Sequence, residues 1–459
     1  MIKNAQIIVS GIGLSDVYFN DDLMTIAPER LIDIKETIRN KCCFTPCEET
    51  WSCGFEENVN DTLIKSHSSY KRLTKRHYIV ACRFPSLAYQ SEWKSQDPLG
   101  ALLKFEKQML NLFTPEELTL HDITLRFYSY GNVTIQGKFI IRDKELSVED
   151  YHAVSDFVHV LFKVALQDKV AKAIEKYVNA VNSITDNICL LSLPIPSELH
   201  DGNMIQNIMS QTLQFGIRTH YIYDVEKKDD FSLAPFYPIL SGEWEEAMAK
   251  PIVSQNCTAY FGWSHSMYLF HHQEQEISHT PYEIPMEVVM SNWSALQGMQ
   301  LRIEKARVAF MKQIEEKKKT RKNYDKISDD VKDFILKFER MIAYFDSYTI
   351  SNNPTIFHMI DAQKKAFLEK DHVIRVRKKL NLLQKIVDDL AASEKKRHDD
   401  KINRILFIIT IFALLNSVQI TYELITNKNS QDIHTIVGIF IGLVAIVILY
   451  LRINKKPTT

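Results

Sequence analysis

The chain has no excess charge of either sign: 56 basic residues stand against 57 acidic ones, a formal net charge of −1. A balanced surface gives no reason to expect nucleic acid along its length, because phosphate backbones are gripped by clustered Lys and Arg. Catalytic signatures are missing too. Gly11 and Gly13 follow an apolar run, but no third glycine and no GK[ST] comes after them, so a turn explains them better than a phosphate-cradling loop. With no GxSxG, CxxC or paired-carboxylate motif, the chain reads as a non-enzyme. The opening MIKNAQIIVSGIGLSDVYF has too short and interrupted an apolar run for a secretory leader, so an exported N-terminus is not expected.

What the chain does have is two long apolar runs near its end. Ile405 to Ile425 is charge-free until Glu423, and Ile436 to Leu451 has no ionisable group except Tyr450. At about 1.5 Å per residue, the first can cross a ~30 Å hydrocarbon core, and the second can if residues 433–435 join it. They read as a transmembrane hairpin with a short external loop over 426–434. Lys395, Lys396, Arg397, Lys401 and Arg404 precede it, Arg452, Lys455 and Lys456 follow it, and the loop has only Lys428. The positive-inside bias then predicts a multi-pass protein of the inner (cytoplasmic) membrane with both termini cytoplasmic.

A reducing cytosol makes disulfides unexpected for Cys42, Cys43, Cys47, Cys53, Cys82, Cys189 and Cys257. The stretch CCFTPCEETWSC lacks the paired arms of a zinc site and reads as ordinary thiols. The other metal-like stretch is HSMYLFHHQEQEISH, with His265, His271, His272, His279, Glu274 and Glu276. It has no HExxH spacing and reads as a polar linker leading to Pro281 and Pro285.

Taken in order, Ala5 to Gly13 and Arg76 to Phe84 are apolar, β-branched runs that read as strands. His121 to Arg142 holds two period-two runs around Gly-Asn, a β-hairpin. Leu146 to Asn182 has helical spacing, with Val154, Phe157, Val158, Leu161, Ala165 and Val170 on one apolar face. Residues 188–196, 219–225 and 257–263 look like further strands. Strands separated by helices give an α/β or α+β cytosolic ligand-sensing domain over residues 1–275.

Beyond it, a cytosolic helical stalk is expected over 276–400 and a two-helix transmembrane pore domain with a basic tail over 401–459. The stalk reads as three helical stretches, 286–322, 326–349 and 355–425, broken at Asn323 to Asp325 and at Ser351 to Pro354. In the last, Val373, Val376, Leu380, Leu383, Val387 and Leu390 form a heptad seam that packs lengthwise against neighbours.

Asn403, Thr410 and Ser417 are seven apart, each about 20° from the next on an ideal helix, with Thr421 on the same line and Leu406 and Ala413 beside it. The hydroxyls can bond their own backbone, but Asn416 and Gln419, near mid-span, need polar partners. The second span offers none before Tyr450. Its Gly438 and Gly442 form a GxxxG pattern that permits close helix packing. The partners are therefore copies of the first span, and a homo-oligomer is expected in which Asn403, Leu406, Thr410, Ala413, Ser417 and Thr421 line a water path. Asp399 and Asp400 would ring its cytoplasmic mouth, where carboxylates attract cations. The competing reading is a two-helix anchor.

This order of parts resembles the CorA-type magnesium and divalent-cation channels: a cytosolic α/β domain, long stalk helices, a final helix running into the first span, a short loop, a second span and a basic tail. NRILFIITIF is similar to the start of that family's pore helix and LRINKKP to its tail, so the resemblance covers roughly residues 286–459. It implies a pentamer with the first span lining the pore, and Mg2+ or another divalent cation as permeant or regulatory ion. The family's Gly-Met-Asn signature is absent; the region reads SVQITYELITNKNSQ, so divalent selectivity is not carried over. A CorA-like body without it resembles the divergent members regarded as membrane effectors in prokaryotic antiviral systems, CRISPR-associated ones included. Those imply a nucleotide second messenger as ligand and membrane permeabilisation as outcome. The alternatives are a magnesium transporter and a membrane-tethered scaffold or enzyme.

Overall fold

The structure, a computed structural model, describes residues 2–15, 28–43, 49–53, 78–96, 100–128, 131–184, 214–223, 251–253, 257–262, 264–271, 280–316, 321–346, 354–426, 438 and 442. The expected strand at 188–196, the external loop beyond Thr426, the basic tail, Cys47, Cys189, His272 and His279 lie outside these residues. So does the second span, Gly438 and Gly442 excepted.

The strands are β1 (Ala5–Leu14), β2 (Thr50–Cys53), β3 (Tyr78–Arg83), β4 (Leu87–Ala88), β5 (Thr119–Tyr128), β6 (Asn132–Ile141), β7 (Gln214–Ile222), β8 (Ile252–Val253), β9 (Cys257–Phe261) and β10 (His265–Phe270). Interleaved and following are helices α1 (Pro28–Cys42), α2 (Ala101–Leu112), α3 (Val148–Asn182), α4 (Thr280–Glu316), α5 (Arg321–Asp346), α6 (Pro354–Ala366) and α7 (Glu369–Thr426).

The strands make one mixed sheet in the order β2-β3-β5-β6-β1-β7-β10-β9-β8, with β4 on β5. Among the described strands the pairs are antiparallel except β7 with β10, which is parallel. The expected hairpin is β5 and β6, and Gly131 at its turn has φ 71, a left-handed conformation that glycine adopts without Cβ cost.

β1 is buried throughout, which explains its unbroken apolar character: helices cover both faces of the sheet. On one face Ile7 and Val9 pack with Phe157, Leu161 and Phe162 of α3. Ser147 caps that helix, its Oγ accepting from the Asp150 amide at 3.0 Å. On the other face Ile12 packs with Met286 and Trp293 of α4 and with Phe367, while Ile8 meets Tyr221, Tyr268 and Met359 of α6. A Cβ on Gly298 would lie 2.5 Å from Leu14 Cδ2, so a larger residue there would have to displace that leucine tip.

The compact body therefore extends past residue 275. One unit comprises 1–318 and 329–384, and a second comprises 319–328 and 385–459. Helices expected to form a separate stalk cover the sheet instead, because Met286, Val289, Met290 and Trp293 are apolar on the side that meets it.

Three further expectations are corrected. HSMYLF is not a polar linker but β10, every residue of it buried, since a strand covered on both faces reads as a continuous run and shows no alternation. α5 starts at Arg321 and is unbroken through Asn323 to Asp325. The helix expected from Thr355 to Ile425 is interrupted by a turn at Phe367 and Leu368, where Leu368 has φ 51; no Gly or Pro marks it in the sequence. α7 starts after that turn, and its seam is in place: Val373, Val376, Leu380, Leu383 and Val387 are buried. Lys379 meets Glu304 of α4 at 3.0 Å and holds that carboxyl below its usual range.

Candidate functional site

α7 continues for 58 residues and carries the segment His398–Ile420, 23 residues long and apolar enough to cross a membrane. None of that segment is buried. Ile405, Leu406, Phe407, Ile408, Ile409, Ile411 and Phe412 are all exposed, pointing around most of the circumference. A helix apolar all round is stable only when something other than water surrounds it. Each exposed Ile or Leu moved from water into an apolar medium contributes about 1.5–3 kcal/mol.

Asn403, Leu406, Thr410, Ala413, Ser417 and Thr421 all lie on this one unbroken helix, so the expected stripe shares one face. Asn403, Leu406 and Ala413 are exposed, and Thr410 and Ser417 are half-buried. The Thr410 hydroxyl donates to the Leu406 carbonyl at 2.7 Å, and that of Ser417 to the Ala413 carbonyl at 2.9 Å. Both hydroxyls spend their proton within the helix.

Asp399 and Asp400 are exposed, one turn before the apolar segment begins in earnest. Asn416 and Gln419 are exposed as well. Gly438 and Gly442 are helical, and a Cβ on either would meet nothing within 4 Å.

A second polar constellation sits in the sheet body, and its spacing in sequence gave no sign of it. His220 of β7 and His265 of β10 stack 5.6 Å apart, with Nε2 of the first 3.3 Å from Nδ1 of the second. Tyr151 of α3 reaches His220 Nδ1 at 3.1 Å. Arg218 donates to Ser155 Oγ at 3.1 Å and to Asp156 Oδ1 at 2.5 Å, and Asp156 also meets His152 at 3.3 Å. Burial first, then His265 and Arg218, push His220 well below the ordinary histidine range. The same burial, with Arg218, His152 and His159 adding to it, takes His265 down to about 3.

Among the described residues no group of three or more His, Cys, Asp or Glu is placed to hold a metal ion. Cys42, Cys82 and Cys257 are buried on three different elements, and burial pushes the Cys257 thiol up to about 12. Comparison of the chain with protein-family models, with curated proteins and with solved structures returned no match.

Proposed function

We propose that this protein is a homo-oligomeric membrane ion channel of CorA-like frame, multi-pass and pentameric with both termini cytoplasmic, gated by a ligand bound in its α/β body. One observation carries the reading. α7 begins with a buried seam and runs on, without a break, into an apolar segment exposed around most of its circumference. Lipid and copies of itself are the surroundings that relieve such a surface, and the Asn403, Thr410, Ser417 face is the part least suited to lipid. Basic residues before the first span and after the second support cytoplasmic ends.

The ligand in this reading is a nucleotide second messenger, and the outcome is membrane permeabilisation in antiviral defence. A magnesium transporter with the same frame would instead conduct without it. A plain anchor is favoured by one feature: Thr410 and Ser417 satisfy their hydroxyl protons on their own helix and demand no partner. Reconstitution into liposomes separates the three. The channel releases trapped cations only when the ligand is present, the transporter passes Mg2+ without it, and the anchor, inserted in equal amount, releases none.

A further inference from the structure

The polar constellation beneath α3 has a closed interior and, toward solvent, one buried donor left unmet. Inside, the Tyr151, His220 and His265 chain is closed on itself, and both histidines are almost wholly inaccessible. Toward solvent stand His152 and Asp156, each 31% exposed, and the half-buried His159. Between the two lies Arg218, 12% exposed, whose Nε is buried without a hydrogen-bond partner. A buried donor left unmet is costly, and more so on a charged group.

The inventory of groups selects the ligand. α3 brings Tyr151, His152, Asp156 and His159, β7 brings Arg218 and His220, and β10 brings His265. β1, paired with β7 at Ile7 opposite His220 and Val9 opposite Arg218, contributes only apolar side chains to this face. A single carboxylate thus stands among one permanent cation and four imidazoles. A cation would meet Arg218, and an apolar group would strip water from the mouth without replacing its hydrogen bonds. An oxyanion supplies the acceptors, and a phosphoryl group matches the planar guanidinium fork.

We propose that this mouth is a binding site for a phosphorylated anion, held by Arg218, His152 and His159. It deepens the ligand-gated reading by giving the ligand's class and place, and depends on that reading only for the consequence that occupancy opens a pore.

The test is calorimetric titration of the full chain, in an uncharged detergent that supplies no lipid phosphate, with inorganic pyrophosphate and separately with ATP. Saturable binding of at least one probe is expected. His152→Asn and Arg218→Lys should each weaken it about tenfold or more, with melting temperature followed alongside. If Arg218→Lys unfolds, His152→Asn decides, since its side chain is partly in solvent. Tighter ATP binding means that the nucleoside is also read, and equal binding means that the phosphates suffice; both support the site. No saturable binding of either probe, or binding unchanged in His152→Asn, would overturn it. Normal binding with silent liposomes would count against the channel and not against this site.

Discussion

His220 and His265 lie with their ring planes 1° apart inside the sheet body, bridged nitrogen to nitrogen at 3.3 Å. Two imidazoles at that distance, wholly enclosed, are stable together only if both are uncharged. Burial and the neighbouring Arg218 keep them so.

Stability should therefore fall with acid. The folded-state values of both histidines are depressed, while the unfolded chain titrates near the ordinary value of about 6.5. Below that pH the unfolded state binds protons that the folded state refuses, so stability is full above about pH 6.5 and declines toward the folded value of His265, about 3. Each histidine contributes up to about 1.4 kcal/mol per pH unit. Thermal melts of the body across this range check it, and His265→Asn should flatten the slope. A melting temperature unchanged between neutral and mildly acid pH would mean that the pair is charged when folded.

The seam of α7 should tolerate little. Leu380 is wholly buried, and Leu380→Ala removes its side chain from a packed site at a cost of about 2–5 kcal/mol. Leu382, two residues on, is 58% exposed, and Leu382→Ala should change stability by less than about 0.5 kcal/mol. Denaturant melts of the two variants read the contrast; equal losses would show that the helix packs on another face.

Much of this fold was legible because its elements follow single periods. The alternation of β5 and β6 around Gly131, the apolar face of α3, and the heptad spacing of Val373 through Val387 each state their own environment. β10 did not, since a doubly covered strand shows no alternation and its histidines pointed toward a linker. The turn at Leu368 bears no breaker residue, so only tertiary packing explains it. Arg218, His220, His265 and the α3 residues meet across separations of 45 to 69 positions, as in His220 to His265 and Tyr151 to His220, and no local spacing announces them. The Asn403, Thr410, Ser417 phase was legible in full, because it needs nothing beyond one straight helix.

Gating through a rigid α7 predicts that softening the helix uncouples binding from opening. Ala391 and Ala392 are exposed helical positions, so Ala391→Gly with Ala392→Gly costs about 1 kcal/mol each in helix propensity without disturbing a core. Ligand binding should stay as it was while ligand-triggered flux from liposomes falls several-fold. Flux unchanged at equal binding would remove the helix as the transmitting element.

The most direct measurement is planar-bilayer conductance of a Thr410→Leu, Ser417→Leu double variant beside the parent, with particle images establishing equal assembly. If these positions form the pore wall, two leucines replace the hydroxyls with apolar bulk in a dewetting-prone constriction, and conductance should be abolished while the oligomer is retained. Conductance equal to the parent's, in an oligomer of the same size, would contradict a pore lined by Asn403, Thr410 and Ser417.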